Sequence, residues 1–235
     1  ILLHHLGPEV LAREAPGLTA FGAESATVLD DLIRENNRDE HLPQLRRWDG
    51  IGRRIDEVIF HPSYFEIGQR AYRTGALARY ARPGEERIQL AYSYLLAHHG
   101  EGGHLCPFAC TAGLIKILQA RGNEALKAHL LPGLLHLDRG APEHYHGAQF
   151  LTEIQGGSDV GANAVRARRD GEHFRVSGEK WFCSVIDADL YLMTARLEGA
   201  PIGTAGLGAF VVPRLLPDGT PNGVHIRRLK YKLGT

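Results

Sequence analysis

The chain has 235 residues, 43% hydrophobic and 23% charged, with a formal net charge of zero. That composition fits one large or two small globular domains with enough apolar mass for a core. It excludes a global field that would steer the chain to nucleic acid or an anionic membrane. The three cysteines, Cys106, Cys110 and Cys183, form no disulfide framework and fit a reducing cytoplasm. No apolar run reaches the ~20 residues of a membrane helix. The opening I-L-L-H-H-L-G-P lacks the features of a signal peptide and an initiator methionine, so a piece of a longer product is expected.

In chain order, glycine and proline punctuation predicts an irregular lead-in over residues 1–23. From Glu24 onward Val28, Leu29, Leu32 and Ile33 share one helical face. Residues 42–52 read as a loop. Phe60-His61-Pro62-Ser63 opens a long helix, with proline suited to the first turn. Further helices are expected over 85–99, 109–120 and 124–131, with Gly100, Gly102 and Gly103 stopping the first of them. Consecutive helices with short connections predict an all-α bundle up to residue 147.

The hydrophobic period then changes. Strands are expected from Phe150 and over 165–169, 172–177, 190–196, 209–212 and 224–229, with Asp170-Gly171 as a hairpin turn. About five or six short antiparallel strands predict a small β-barrel over residues 148–235. The fold class is therefore α+β and multi-domain, divided at 147/148.

The chemistry concentrates at the point of change. Thr152, Glu153, Gly156, Gly157, Ser158 and Asp159 stand together in Q-F-L-T-E-I-Q-G-G-S-D-V, and G-E-K-W-F-C-S follows with Trp181 beside Lys180. Glycines let a backbone approach a ligand and turn N–H groups toward an anion. An aromatic plate beside such a loop suits a flat, heteroatom-edged ring that carries phosphates. Taken alone, G-G-S-D is an ordinary turn, Thr152 can satisfy its own backbone, and a tryptophan is more often packing than ligand contact.

T-E-x-x-G-G-S-D followed by G-x-K-W-F resembles the acyl-CoA dehydrogenase superfamily of flavoproteins. R-R-I-D-E-V-I-F-H-P at Arg53–Pro62, L-C-P at Leu105–Pro107 and R-R-L-K-Y-K-L-G-T at the end are most similar to its adaptive-response, AidB-like branch. The resemblance covers residues 53–235. It implies FAD as cofactor and α,β-dehydrogenation of an acyl thioester with hydride transfer to flavin N5. The alternative it carries is a DNA-associated or alkylation-protective flavoprotein with little turnover.

By that resemblance Gln149, Leu151, Thr152, Ser158, Trp181, Phe182, Cys183 and Ser184 contact the cofactor. Thr152 bonds the flavin edge, Ser158 meets the pyrophosphate and Trp181 covers one ring face. Cys183 departs from the threonine common in the dehydrogenases, and a thiol is a weak donor. His104, Leu105, Cys106 and Ser158 are expected to line the substrate space. The family base is a glutamate in a later helical domain, so no catalytic residue is assigned in this chain, and Glu153 is expected to order its loop. The same resemblance implies a dimer or tetramer for the full-length protein. It puts DNA binding in the last domain, so this piece should bind DNA weakly or not at all.

No metal site is expected. The spacing of His98, His99, His104, Cys106 and Cys110 matches no compact zinc pattern. Arg166, Arg168, Arg169 and the basic run from Arg227 read as solvated faces.

Overall fold

A computed structural model describes residues 2–231, so the last residues of the R-R-L-K-Y-K-L-G-T run, from 232 onward, lie outside the described part. The chain divides into two compact units. One runs up to Tyr145 and takes in the segment that begins at His225; the other is His146–Val224.

The first unit is largely helical: α1 Leu2–Leu6, α2 Pro8–Glu24, α3 Asp30–Asn36, α4 Pro62–Arg73, α5 Glu86–Ala97, α6 Leu105–Arg121 and α7 Glu124–Leu134. The expected irregular lead-in is helix instead. Burial decides this: Leu18 and Phe21 of α2 enter the core with Ile67, Ile88, Leu96 and Phe108, and Leu6 and Val10 pack against it. Tertiary burial of this kind overrides weak local propensity. Gly17, which reads as punctuation, sits where an added Cβ would stand 2.6 Å from the Tyr92 hydroxyl of α5. It permits close approach of two helices and does not break one.

The expected loop over 42–52 is also corrected. Gln44–Trp48 forms β1 and Arg54–Ile59 forms β2, an antiparallel pair with Leu45 opposite Val58. Asp49 makes the turn, its Oδ1 accepting from the backbone of Ile51 at 2.9 Å and Arg53 at 2.8 Å. The helix at Pro62 starts where expected, with the His61 side chain capping it through the Ser63 N–H. Helix α6 begins earlier than residue 109, because Glu101 accepts from the backbone N–H groups of His104 and Leu105 and so caps its first turn.

The second unit is a five-stranded sheet of β3 Gly147–Phe150, β4 Arg166–Asp170, β5 His173–Ser177, β6 Leu190–Leu197 and β7 Leu207–Pro213. It is not the antiparallel barrel expected. Strands β3 and β4 run parallel to β6 and share one of its edges, β3 beside Leu190–Met193 and β4 beside Arg196 and Leu197. Strand β7 runs antiparallel along the other edge. The sheet is mixed and open. The expected hairpin forms, but its two-residue turn is Gly171-Glu172, one position later than expected, because Asp170 pairs with His173 as the last residue of β4. The strand expected over 224–229 is absent: Val224 ends the second unit and residues 225–229 belong to the first, where Ile226 N–H donates to Asp56 Oδ2 at 3.0 Å.

Two small clusters hold the sheet. Ala148, Phe150, Ala188 and Tyr191 form one, with Cys183, Val185 and Met193 packed against it. Val165, Ala167 and Ala195 form the other. Both are fed by alternate residues of β3, β4 and β6, the period-2 pattern of a half-buried sheet.

Candidate functional site

The site is built where the loop after β3 meets the segment before β6. Strand β3 ends at Phe150, and Thr152 follows as a half-buried residue at the strand end. Its carbonyl accepts from the Trp181 N–H at 2.9 Å. Two motif halves far apart in sequence are thus adjacent in space.

A buried ion pair fastens them. Lys180 Nζ stands 2.8 Å from Glu153 Oε1, with side chains only 4% and 3% exposed. Lys180 also donates to the Leu151 carbonyl at 3.3 Å and Thr194 Oγ1 at 3.2 Å. Glu153 accepts from the backbone N–H groups of Ala164 at 2.5 Å and Val165 at 3.2 Å. Burial works to raise the Glu153 pKa, but Lys180 and these N–H groups outweigh it and hold the carboxyl below its ordinary value. A carboxylate held ionised by a cation and two N–H groups is a poor proton acceptor. Glu153 orders the loop.

Two residues that sequence reasoning missed complete the frame. Asn163 donates to the Leu151 carbonyl at 2.8 Å and Thr194 Oγ1 at 3.1 Å. Arg196, 6% exposed, donates to the carbonyls of Pro201, Gly203 and Gly161. Its guanidinium ties the far end of the loop to the turn before β7. Neither stands in a recognisable motif, since both act through backbone carbonyls brought close only by the fold.

The other expected cofactor residues surround this frame. Gln149 is half-buried on β3 opposite Leu192. Leu151, Ser158, Phe182 and Ser184 are exposed, and Trp181 is half-buried with its ring against Phe182 at 5.8 Å. Phe182 and Val185 have φ of 54° and 55°, sparsely populated for such side chains. These two strained positions bracket Cys183 and Ser184. Cys183 packs against the Ala148 cluster, and burial pushes its thiol up to about 11. It is a neutral packing group.

A Cβ on Gly157 would stand 2.9 Å from Thr152 Oγ1, so glycine at that position keeps the hydroxyl uncovered. A half-buried hydroxyl, a half-buried indole, exposed hydroxyls and a glycine-bearing loop form a donor set that fits a flavin nucleotide.

Of the expected substrate-space residues, Ser158 lies in the second unit and the other three lie in the first. His104 is fully buried, its Nε2 2.6 Å from the Tyr64 carbonyl and its ring stacked on Tyr64 at 4.1 Å. Leu105 and Cys106 are half-buried in the first turn of α6. Leu105 lines an apolar groove of about 450 Å³ with Tyr80, Leu90, Ala109 and Ala112. Among the described residues, His98, His99, His104, Cys106 and Cys110 form no group of three with ligand atoms this close, whereas one ligand atom from each of Glu35, His41 and His61 lies within 4.8 Å of the other two. No helix among them is long and apolar enough to cross a membrane.

A largely helical unit followed by an open mixed sheet, with T-E and K-W joined by a buried ion pair, defines an acyl-CoA dehydrogenase-like fold. Residues 2–138 match the adaptive response protein AidB N-terminal domain, and residues 148–235 match the acyl-CoA dehydrogenase middle domain. The chain belongs to the AidB-type branch of the acyl-CoA dehydrogenase family.

It is 37% identical to AidB of Escherichia coli over 96% of its own length and 43% of that protein. The apo form of Bd2924 superposes with a TM-score of 0.89 at 28% identity, over 99% of this chain and 48% of that one. Caenorhabditis elegans ACDH-11 in complex with C11-CoA superposes with a TM-score of 0.86 at 29% identity, over 99% of this chain and 41% of that one. The chain spans less than half the length of each of these relatives.

Proposed function

We propose that the chain carries the flavin-binding part of an FAD-dependent oxidoreductase of the acyl-CoA dehydrogenase type, acting on an acyl thioester. The Glu153–Lys180 clasp carries this reading, because it holds the Thr152 hydroxyl and the Trp181 indole on one rigid frame. Preorganised donors and ring contacts of that kind orient a cofactor at little entropic cost. Bound FAD would supply a hydride acceptor at N5 for α,β-dehydrogenation.

The residues of the chain bind, orient and exclude water. Thr152 donates its hydroxyl to the polar edge of the flavin. Ser158 and the N–H groups of the glycine loop meet the pyrophosphate. Trp181 covers one ring face, with Leu151 and Phe182 extending the apolar wall and Gln149 holding the strand end. Ser184 takes the donor role that the neutral, packed Cys183 cannot fill. Within the first unit, Leu105 borders an acyl-accepting groove with Cys106 beside it in the same turn, and His104 supports the α6 start from within. The proton α to the thioester goes to a glutamate supplied from outside this chain. The complex of the C. elegans relative with C11-CoA supports an acyl-CoA substrate. A homo-oligomeric, cytoplasmic protein completes the reading.

Cys183 also favours a second reading, in which the parent protein binds flavin in a DNA-associated or protective role with little dehydrogenase turnover. Titration of FAD into the chain, followed by visible absorption and flavin fluorescence, tests the first. Saturable uptake is expected, weakened roughly tenfold in Trp181→Ala and in Thr152→Val. No uptake by the chain or by a longer protein containing it would sink the flavin assignment. Bleaching of the loaded longer protein by an acyl-CoA panel then separates turnover from its absence.

A further inference from the structure

We propose that Glu35, His41 and His61 form a binding site for a divalent transition-metal ion of the zinc type. They meet in the first unit, where the end of α3, the turn at Asp39–His41 and the start of α4 come together. One ligand atom from each side chain lies within 4.8 Å of the other two. Tetrahedral zinc, with Zn–N of about 2.0–2.1 Å, holds its ligand atoms about 3.4 Å apart. Movements on the order of an ångström therefore close the set.

The side chains are already constrained. His41 is 21% exposed and Glu35 is 40% exposed, so part of the ordering cost is met by the fold. Each imidazole is fixed by one nitrogen. His41 Nδ1 lies 2.8 Å from the Glu35 carbonyl, and His61 Nδ1 lies 2.7 Å from Ser63 Oγ. Ser63 Oγ in turn donates to Asn36 Oδ1 at 3.3 Å. Outer hydrogen bonds of this type orient ligating histidines, and the Ser63 N–H also donates to His61 Nδ1 at 3.3 Å. Arg38 engages Glu35 Oε2 at 3.0 Å, while Oε1 lies 3.3 Å from His41 Nδ1, the nitrogen that also meets the Glu35 carbonyl, so binding an ion turns the His41 ring.

The two rings are stacked, 3.8 Å apart and 12° from parallel. Parallel rings do not aim both lone pairs at one point, so coordination turns one imidazole about its Cβ–Cγ bond. Two imidazoles and a carboxylate suit zinc, nickel or copper and disfavour magnesium, which takes an oxygen shell. Three protein ligands leave a further position for water.

Calorimetric titration of the chelator-treated chain with ZnCl2, and separately with MgCl2, tests the site. One saturable zinc per chain is expected, with a Kd on the order of micromolar, and no magnesium binding. His41→Gln and His61→Asn should each weaken zinc roughly tenfold or more, while His98→Asn leaves it unchanged. Asparagine at 61 keeps an acceptor for the helix cap, so that variant stays folded by circular dichroism. If it does not, Glu35→Gln on a partly exposed side chain carries the same comparison. Absence of saturable zinc binding overturns the proposal. So does a Kd that none of these variants changes, which would mark an adventitious surface histidine.

Discussion

At the residue scale, the Glu153–Lys180 pair sets the strongest expectation. Both side chains are almost fully buried, so removing one leaves an uncompensated charge in the interior. Lys180→Met should destabilise the sheet unit by about 3 kcal/mol, read from urea unfolding. The double variant Glu153→Leu/Lys180→Met should lose less than the single one, because no lone charge remains. Equal losses would show that packing, and not the pair, holds the motif halves.

Glu101 gives a pH prediction. It is 3% exposed, and burial raises its pKa to about 7 even though the N–H groups of His104 and Leu105 favour the ionised form. A carboxyl with a raised folded-state pKa favours folding most when protonated. Stability should therefore fall as pH rises from about 4.5 to about 7, by on the order of 3 kcal/mol, and level off above. In Glu101→Gln that slope should vanish. A slope unchanged by the substitution would assign the dependence to other groups.

The element scale shows why some segments were legible and others were not. Pro62 in a first turn and Asp170-Gly171 between alternating runs are local signals with local causes; the helix started as read, and the hairpin formed with its turn one residue later, at Gly171-Glu172. The helix over Pro8–Glu24 has weak local signals and a strong tertiary cause, since its Leu18 and Phe21 are core residues. Arg196 belongs to the same lesson. A long cationic side chain on β6 is unremarkable in sequence, yet it satisfies three carbonyls from two separate turns. Arg196→Met should cost about 2–3 kcal/mol, because buried acceptors are left without donors. Thermal unfolding with and without FAD would also show whether the loop from Thr152 loses its ligand affinity with that anchor.

For the molecule as a whole, the first unit holds the cluster of Leu18, Ile67 and Phe108 and the second the clusters around Ala148 and Val165, so each ligand can be assigned to the unit that binds it. Differential scanning calorimetry should show FAD shifting the transition that Lys180→Met lowers, and zinc shifting the one that His61→Asn affects. Ligand binding raises the stability only of the unit that binds, by the logarithm of saturation. A single transition moved by both ligands would mean that the units unfold cooperatively. That outcome would leave each binding constant measurable by titration.

The sequence by itself determined the family and the identity of the motif residues, because T-E-x-x-G-G-S-D and G-x-K-W-F are written in contiguous residues. It also determined most helices and the hairpin, whose causes are period, caps and turn residues. Only the tertiary structure decided the sheet. Parallel and antiparallel pairing use the same alternating pattern, so β6 could recruit β3 and β4 in parallel and β7 in antiparallel without any mark in the sequence. Only the structure, too, brought Lys180 onto Glu153 and His41 against His61. Such pairs depend on where chain segments cross, and a distance through space is not recorded in a distance along the chain.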